Sequence, residues 1–235
     1  MPWNLLILPL VAGYYLLTRF NYFKYKQQRL DKQRLIFDSV LLAILLISFT
    51  FLVRLLIELK FHNLIDYIHS SLNITTPYLG TAFSTLIISI LIAEIGNRTT
   101  HKDRNKEIKK AIKSVGNELE LLLKSSFTDS KLLEFTLDTG KFYIAWAKEL
   151  PIPTVTNYIR VIPAFSGFRD ERTNFVFTSQ YLSIYAEYIA EGKIQDINEL
   201  DVDLIITLDN VVSVSYFDID MYERFNNKEV RKKKK

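Results

Sequence analysis

Two arginines three positions apart, Arg169 and Arg172, stand in the stretch Ser166-Gly167-Phe168-Arg169-Asp170-Glu171-Arg172. A guanidinium presents planar, paired donors, so a glycine-containing loop with two of them could take up a phosphate or nucleotide. With Arg160 on the strand before, they form the candidate ligand-binding set for a small anionic ligand. Asp170 and Glu171 compete for the same cations, and internal pairing is the plainer outcome. The carboxylate pairs Asp201/Asp203 and Asp218/Asp220 could hold a hard cation, yet paired acids at strand ends are usually solvated and no third ligand joins them. His62, His69 and His101 are scattered, and cysteine is absent, which excludes disulfides, a thiol nucleophile and a Cys-based zinc site. Neither a phosphate loop, a dinucleotide fingerprint nor a nucleophile elbow occurs. No metal and no cofactor is expected.

The other ionisable residues of note sit in or beside long apolar runs. A bilayer core needs about 20 helical residues to cross, and three stretches qualify: residues 3–20, 35–58 and 78–97. Pro9 is expected to kink the first. The second is the strongest, with Asp38 about a turn inside one end and Arg54 and Glu58 at i,i+4 spacing near the other. Glu94 interrupts the third. These four are the membrane ionisable candidates; the three of the second run are read as interfacial pairs in preference to an ion pathway because none is near the helix centre. The third run also carries Gly80, Ala82, Ser84, Ser89 and Ala93, small residues that allow close helix contact, with Gly80 and Ser84 at the favoured spacing. Between the second and third, Lys60 to Tyr78 has helical apolar spacing and reads as an interfacial helix.

Basic residues flank these runs unequally: six Lys or Arg between Arg19 and Arg34, one after the second run, and seven from Arg98 to Lys113. By the positive-inside rule the first and third flanks are cytoplasmic, which places the N-terminus outside and the C-terminus in the cytosol. Lys24, Lys26, Arg29, Arg98, Lys102 and Arg104 are the expected contacts to anionic lipid headgroups. The start, Met1-Pro2-Trp3-Asn4, lacks a positive n-region and a cleavage site follows nowhere near, so the first run is read as retained. The location expected is the inner (cytoplasmic) membrane of a bacterial cell.

After residue 98 the pattern changes. Residues 99–127 read as one basic amphipathic connecting helix, with Ile108, Ala111, Ile112, Val115 and Leu119 on one face. Period-two runs then begin: Leu132–Leu137 and Phe142–Trp146 around an Asp138-Thr139-Gly140-Lys141 turn, Tyr158–Ile162, Asn174–Thr178, and, after a helix at Tyr181–Ala190, Leu204–Leu208 and Val211–Phe217. Such spacing implies a small closed sheet over residues 128–222. Residues 223–235 form a basic tail.

The helix, the Leu-x-Phe-x-Leu-Asp-x-Gly-Lys-x-Tyr hairpin and the closing run Leu204-Ile205-Ile206-Thr207-Leu208-Asp209-Asn210-Val211-Val212-Ser213-Val214 resemble, in order, the elements of Sm-like, SH3-type small β-barrels. The resemblance covers about residues 105 to 217 and implies a barrel prone to assemble in rings, in a family some of whose members bind RNA. The insert from Pro163 to Tyr188 is longer than a minimal Sm barrel has. The order of three spans followed by such a domain is also similar to small-conductance mechanosensitive channels, although this chain ends where those continue. Asp138-Thr139-Gly140 is similar to the tripeptide of retroviral-type aspartic proteases, but Lys141-Phe142 follows where they have a small residue, and their apolar Gly-rich loop has no counterpart.

The fold class expected is therefore an α-helical membrane domain of three transmembrane helices plus a cytosolic, mainly-β small barrel with flanking helices. The function expected is non-enzymatic: a homo-oligomer whose cytosolic barrel senses a cytosolic protein or small anionic ligand and couples it to membrane permeability. The alternative is a membrane-tethered scaffold for a protein or RNA partner, with nucleic acid having no motif behind it.

Overall fold

The computed structural model describes residues 3–61, 67, 71, 76, 78–152, 157–170, 174–195 and 202–226. The chain divides into two compact units, residues 1–115 and 116–235. Each is taken by itself.

The first unit is helical. A 3-10 turn, Trp3–Leu6, leads into α1, Ile7–Arg19; α2 is Asn21–Gln27, α3 Lys32–Lys60, α4 Leu79–Arg98 and α5 Arg104–Val115. Pro9 falls in the first turn of α1, where a helix leaves its N–H groups unpaired anyway. It therefore marks the passage from the 3-10 turn to the α-helix, and the kink expected inside a longer helix has no place to form. Among the described residues, only α3, with 29 residues, and α4, with 20, are long and apolar enough to cross a membrane, whereas α1 has 13. The three expected spans reduce to two such helices and one shorter one.

α1 packs against both α3 and α4. Ala12 and Leu16 meet Leu46 and Ala93 in the core of the unit, with Leu42 and Leu86 beside them. Close approach depends on Gly13, because a Cβ there would lie 2.3 Å from the Ser39 carbonyl oxygen and 2.9 Å from the Ala43 nitrogen. On α4 the buried row is Thr81, Ala82, Thr85, Ser89 and Ala93. Ser84 is exposed, so the expected Gly80/Ser84 contact is replaced by a row one position round the helix. The expected interfacial helix over Lys60 to Tyr78 lies largely outside the described residues.

The expected single connecting helix is two. α5 ends at Val115, and α6, Glu118–Asp129, starts afresh behind Gly116 and Asn117. Asn117 Oδ1 accepts the Glu120 N–H at 2.8 Å while Glu120 Oε2 accepts the Asn117 N–H at 3.1 Å, a reciprocal cap that satisfies two otherwise orphaned donors.

α6 opens the second unit. Six antiparallel strands follow: β1 Leu133–Leu137, β2 Lys141–Ala147, β3 Tyr158–Arg169, β4 Phe175–Gln180, β5 Leu204–Thr207 and β6 Val211–Tyr216, with α7, Tyr181–Ala190, after β4 and α8, Ile219–Asn226, at the end. The order is β4-β3-β2-β1-β6, and β5 pairs with the first residues of β3. Gly140, at φ +76°, makes the hairpin turn between β1 and β2 that its position requires. The expected closed barrel is corrected to an open sheet. β5 and β6 are joined by a 3-10 turn, Leu208–Asn210, and each pairs with a different interior strand, β3 and β1 respectively. A helix covers the face that closure would have enclosed: Leu119, Leu122, Leu123 and Phe127 of α6 pack on Leu133, Phe135, Ala145, Val161 and Ile206.

β3 extends well past the expected Tyr158–Ile162, because its 12 residues serve two neighbours in turn. Its first part pairs with β5 and its last part with β4. Pro163 lies opposite Ala145 at a register shift, where its missing N–H costs the ladder least.

Candidate functional site

The first four residues of the stretch expected to be an anion-binding loop are strand. Ser166, Gly167, Phe168 and Arg169 form the end of β3, paired with both β2 and β4. Gly167 is there for packing: a Cβ would lie 2.1 Å from the Val176 carbonyl oxygen and 2.7 Å from the Phe142 ring. Arg169 donates through Nη2 to Glu134 Oε1 at 2.5 Å, and its guanidinium carbon lies 4.4 Å above the Phe175 ring. Thr136 Oγ1 donates to the same carboxylate oxygen at 2.9 Å.

Arg160 is engaged elsewhere. Its Nη2 is 2.5 Å from Asp203 Oδ2, and Lys148 Nζ is 2.6 Å from Asp203 Oδ1. Two cations thus neutralise one nearly buried carboxylate and tie the start of β5 to β2 and β3. Arg160 and Arg169 lie nine positions apart along β3, about 30 Å at the usual rise, so these two do not converge on a ligand. Arg172, Glu171 and Asp201 lie outside the described residues. Asp203 is unavailable as a cation ligand in this arrangement, and Asp218 Oδ1 instead accepts the Met221 N–H at 2.9 Å at the start of α8. Asp138 is an exposed turn residue whose N–H donates to the Asn210 carbonyl at 3.0 Å.

Two features of this unit had no signal in the sequence reading. Phe142, Phe175, Phe177, Phe217 and Tyr222 form one aromatic cluster, with Phe142 and Phe175 edge-to-face at 4.7 Å. Beside it lies a pocket of about 140 Å³ between Phe165, Phe177, Gln180, Phe217, Ile219, Tyr222 and Glu223. The cluster draws residues from β2, β4 and the C-terminal segment, and no local pattern announces such a gathering. On the same sheet, Tyr185 of α7 donates its hydroxyl to the Pro163 carbonyl at 2.9 Å. Burial, with the neighbouring Tyr181 and Asp203 adding to it, pushes this phenol up to about 12.

In the helical unit the ionisable residues have near neighbours on the same or the adjoining helix. Arg54 Nε is 2.9 Å from Glu58 Oε1, Arg98 Nη2 is 3.7 Å from Glu94 Oε2, and Asp38 Oδ2 takes a 2.8 Å hydrogen bond from Gln27 Nε2 with Arg34 Nε at 3.9 Å. Arg54 Nη1 also donates to Thr81 Oγ1 at 3.1 Å, which links α3 to α4.

The expected headgroup contacts gather at one end of this unit. Asn21 N–H donates to Asn97 Oδ1 at 2.8 Å, Asn97 Nδ2 donates to the Arg19 carbonyl at 2.9 Å, and Asn21 Nδ2 donates to the His101 carbonyl at 3.0 Å. These bonds fasten the end of α1 and the start of α2 to the end of α4. Lys24 and Lys26 of α2 therefore share an end with Arg98, Lys102 and Arg104, the last three and Lys26 exposed to solvent. Arg29 is partly buried and donates to the Tyr25 carbonyl at 2.7 Å. Phe20 and Tyr22 flank the His101 ring at 5.0 and 5.3 Å. Behind them α5 packs on α2, and Glu107, 3% exposed, lies 2.8 Å from Lys110 Nζ and 3.1 Å from His101 Nδ1. Burial alone would raise the Glu107 carboxyl, but the hydrogen bonds and charges of Lys110 and His101 outweigh it and hold the group below its ordinary range.

The class these features define is a two-unit protein: a helical region with two long apolar helices and a basic end, and an open antiparallel sheet of six strands. No protein-family model, no curated protein and no solved structure matches the chain.

Proposed function

We propose that this chain is a non-enzymatic protein of the inner (cytoplasmic) membrane whose cytosolic sheet unit senses a ligand or partner and couples it to an oligomeric transmembrane domain, altering permeability. The observation that carries the membrane reading is exposure. The most apolar windows of α3 and α4 are only 17% and 28% buried. A core helix of a water-soluble protein would be covered, whereas lipid is the solvent that tolerates such helices bare. α1, extended by the 3-10 turn before it, is the third crossing in this reading. The orientation, N-terminus outside and C-terminus cytosolic, is supported by the two basic segments fastened to one end of the helical unit. Oligomerisation is supported by the outer strands β4 and β6, which contain no charged residue and no proline to discourage pairing with another chain.

Resistance of the full chain to alkaline washing, together with a reporter fused after Lys235 reading as cytosolic, tests the placement. Conductance of reconstituted bilayers with and without cytosolic extract tests the permeability step, and bilayers silent under every condition would remove it.

A second reading, a membrane-tethered scaffold that recruits a cytosolic protein or RNA, is favoured by the engagement of Arg160 and Arg169. With these cations held by Asp203 and Glu134, the aromatic pocket and the uncharged strand edges suit a protein partner better than a small anion. Crosslinking of the full chain in cells separates the two: one abundant partner supports the scaffold. A hydrolase built on Asp138 is disposed of if Asp138→Asn leaves function unchanged.

A further inference from the structure

Between α3 and α4, away from the basic end, lies a cleft of about 380 Å³ lined, among the described residues, by Ile47, Ser48, Phe51, Tyr78 and Thr81. That volume falls within the range of small-molecule sites, about 300–1,000 Å³. Its walls are mostly apolar, and the charged group beside it is held by two of the lining residues, Tyr78 and Thr81. Arg54, one helical turn beyond Phe51, is fixed by three contacts: Glu58 Oε1 at 2.9 Å, Thr81 Oγ1 at 3.1 Å, and the Tyr78 ring, whose centroid is 5.5 Å from the guanidinium carbon.

The electrostatics of this group select among guests. Arg54 and Glu58 together are neutral, so the site has no net attraction for a simple anion. They nonetheless set one cationic donor and one anionic acceptor side by side, the guanidinium engaged through Nε and Nη1 and the carboxylate through Oε1. A headgroup that carries a phosphate and, a few bonds away, a primary ammonium complements both at once. A phosphodiester with no cation meets Glu58 as a like charge, and a quaternary ammonium has no N–H to donate.

We infer that this cleft is a binding site for a phospholipid with a zwitterionic, primary-amine headgroup, of the phosphatidylethanolamine type. The phosphate sits on the Arg54 guanidinium, the ammonium on Glu58, and the start of one acyl chain enters the cleft along Ile47, Phe51 and Tyr78. The inference rests on the reading that α3 and α4 cross a bilayer, since only there is lipid the surrounding solvent.

The test uses full-length protein in mild detergent, titrated separately with phosphatidylethanolamine, phosphatidylglycerol and phosphatidylcholine, with bound lipid counted by native mass spectrometry. The ethanolamine lipid is expected to bind about tenfold more tightly than the other two, the discrimination of one charge-assisted hydrogen bond. The double variant R54Q/E58Q, which keeps the site neutral, is expected to bind all three alike, and S48F, which fills the cleft, to bind all three more weakly. Helical circular dichroism checks that both variants fold. Equal binding of the three lipids by the unaltered protein overturns the inference, as does a preference that survives in R54Q/E58Q. Failure of the membrane reading is distinguishable, because then the protein washes off membranes at alkaline pH before any lipid is compared.

Discussion

Asn97 Oδ1 accepts the backbone N–H of Asn21 at 2.8 Å across 76 residues of sequence, and the Asn97 amide nitrogen passes the contact on to the Arg19 carbonyl. One side chain thus satisfies both backbone groups exposed where the chain breaks between α1 and α2. Asn97→Ala is expected to destabilise the helical unit by about 1–3 kcal/mol, the cost of leaving such groups unpaired. Thermal unfolding in detergent, followed by circular dichroism, measures it, and an unchanged midpoint would mean water replaces the amide at no cost.

Asp203 holds Lys148 and Arg160 in one ion triad. Asp203→Asn leaves two cations facing each other across the start of β5. The sheet unit should lose about 1–3 kcal/mol, the lower part of that range reflecting how far Arg160 is open to solvent. Denaturant unfolding monitored by Trp146 fluorescence reads the loss. Replacing Arg160 alone by Gln should cost clearly less.

Glu107 supplies a pH dependence with a definite sign. Its folded carboxyl is held below the ordinary carboxylate range, so the folded state binds fewer protons than the unfolded one as the pH approaches that range. Its contribution to stability is full above the unfolded value and is lost as the pH falls through the folded one. Unfolding midpoints of the native protein should decline on acidification below about pH 5. Glu107→Gln should flatten this decline, and an identical slope in the variant would assign it to other carboxylates.

Gly167→Ala places a Cβ 2.1 Å from the Val176 carbonyl oxygen, against backbone that cannot swing aside. Overpacking of this kind costs about 1–3 kcal/mol and more where backbone must move. The expected signature is loss of the β4 pairing first, seen as faster amide exchange at Val176 and Phe177 than at Phe135.

How far these arrangements were legible in the chain differs from element to element. β1 and β2 were readable because alternating runs flank the Asp138–Lys141 turn, and β5 and β6 because two apolar, β-branched runs flank Asp209-Asn210. The break after Val115 was also written locally, in Gly116 and in the Asn117-x-x-Glu120 spacing. It was masked because the apolar stripe Ile108, Ala111, Ile112, Val115, Leu119 continues in phase across it. The open sheet was not readable, since closure depends on where register shifts fall, at Thr136/Leu137, Ile144/Ala145 and Ser166/Gly167, and these have no one-residue signature. The arginines illustrate a further limit. Asp170 and Glu171 were the obvious local rivals for Arg169, yet strand pairing brings Glu134, 35 residues away, within reach. Ion pairing within α3 was legible because i,i+4 geometry is local.

The intimate seat of Gly13 on Ser39 and Ala43 bears on biogenesis. α1 leaves the ribosome before both surfaces it nestles against, yet at 13 residues it is a poor insertion signal by itself. On the membrane reading, α1 settles into the bilayer only after α3 and α4 have done so. Chains truncated after Lys60 should leave a tag at the N-terminus accessible from the cytosol, while chains extended past Arg98 should hide it, a difference that protease protection of nascent intermediates can record.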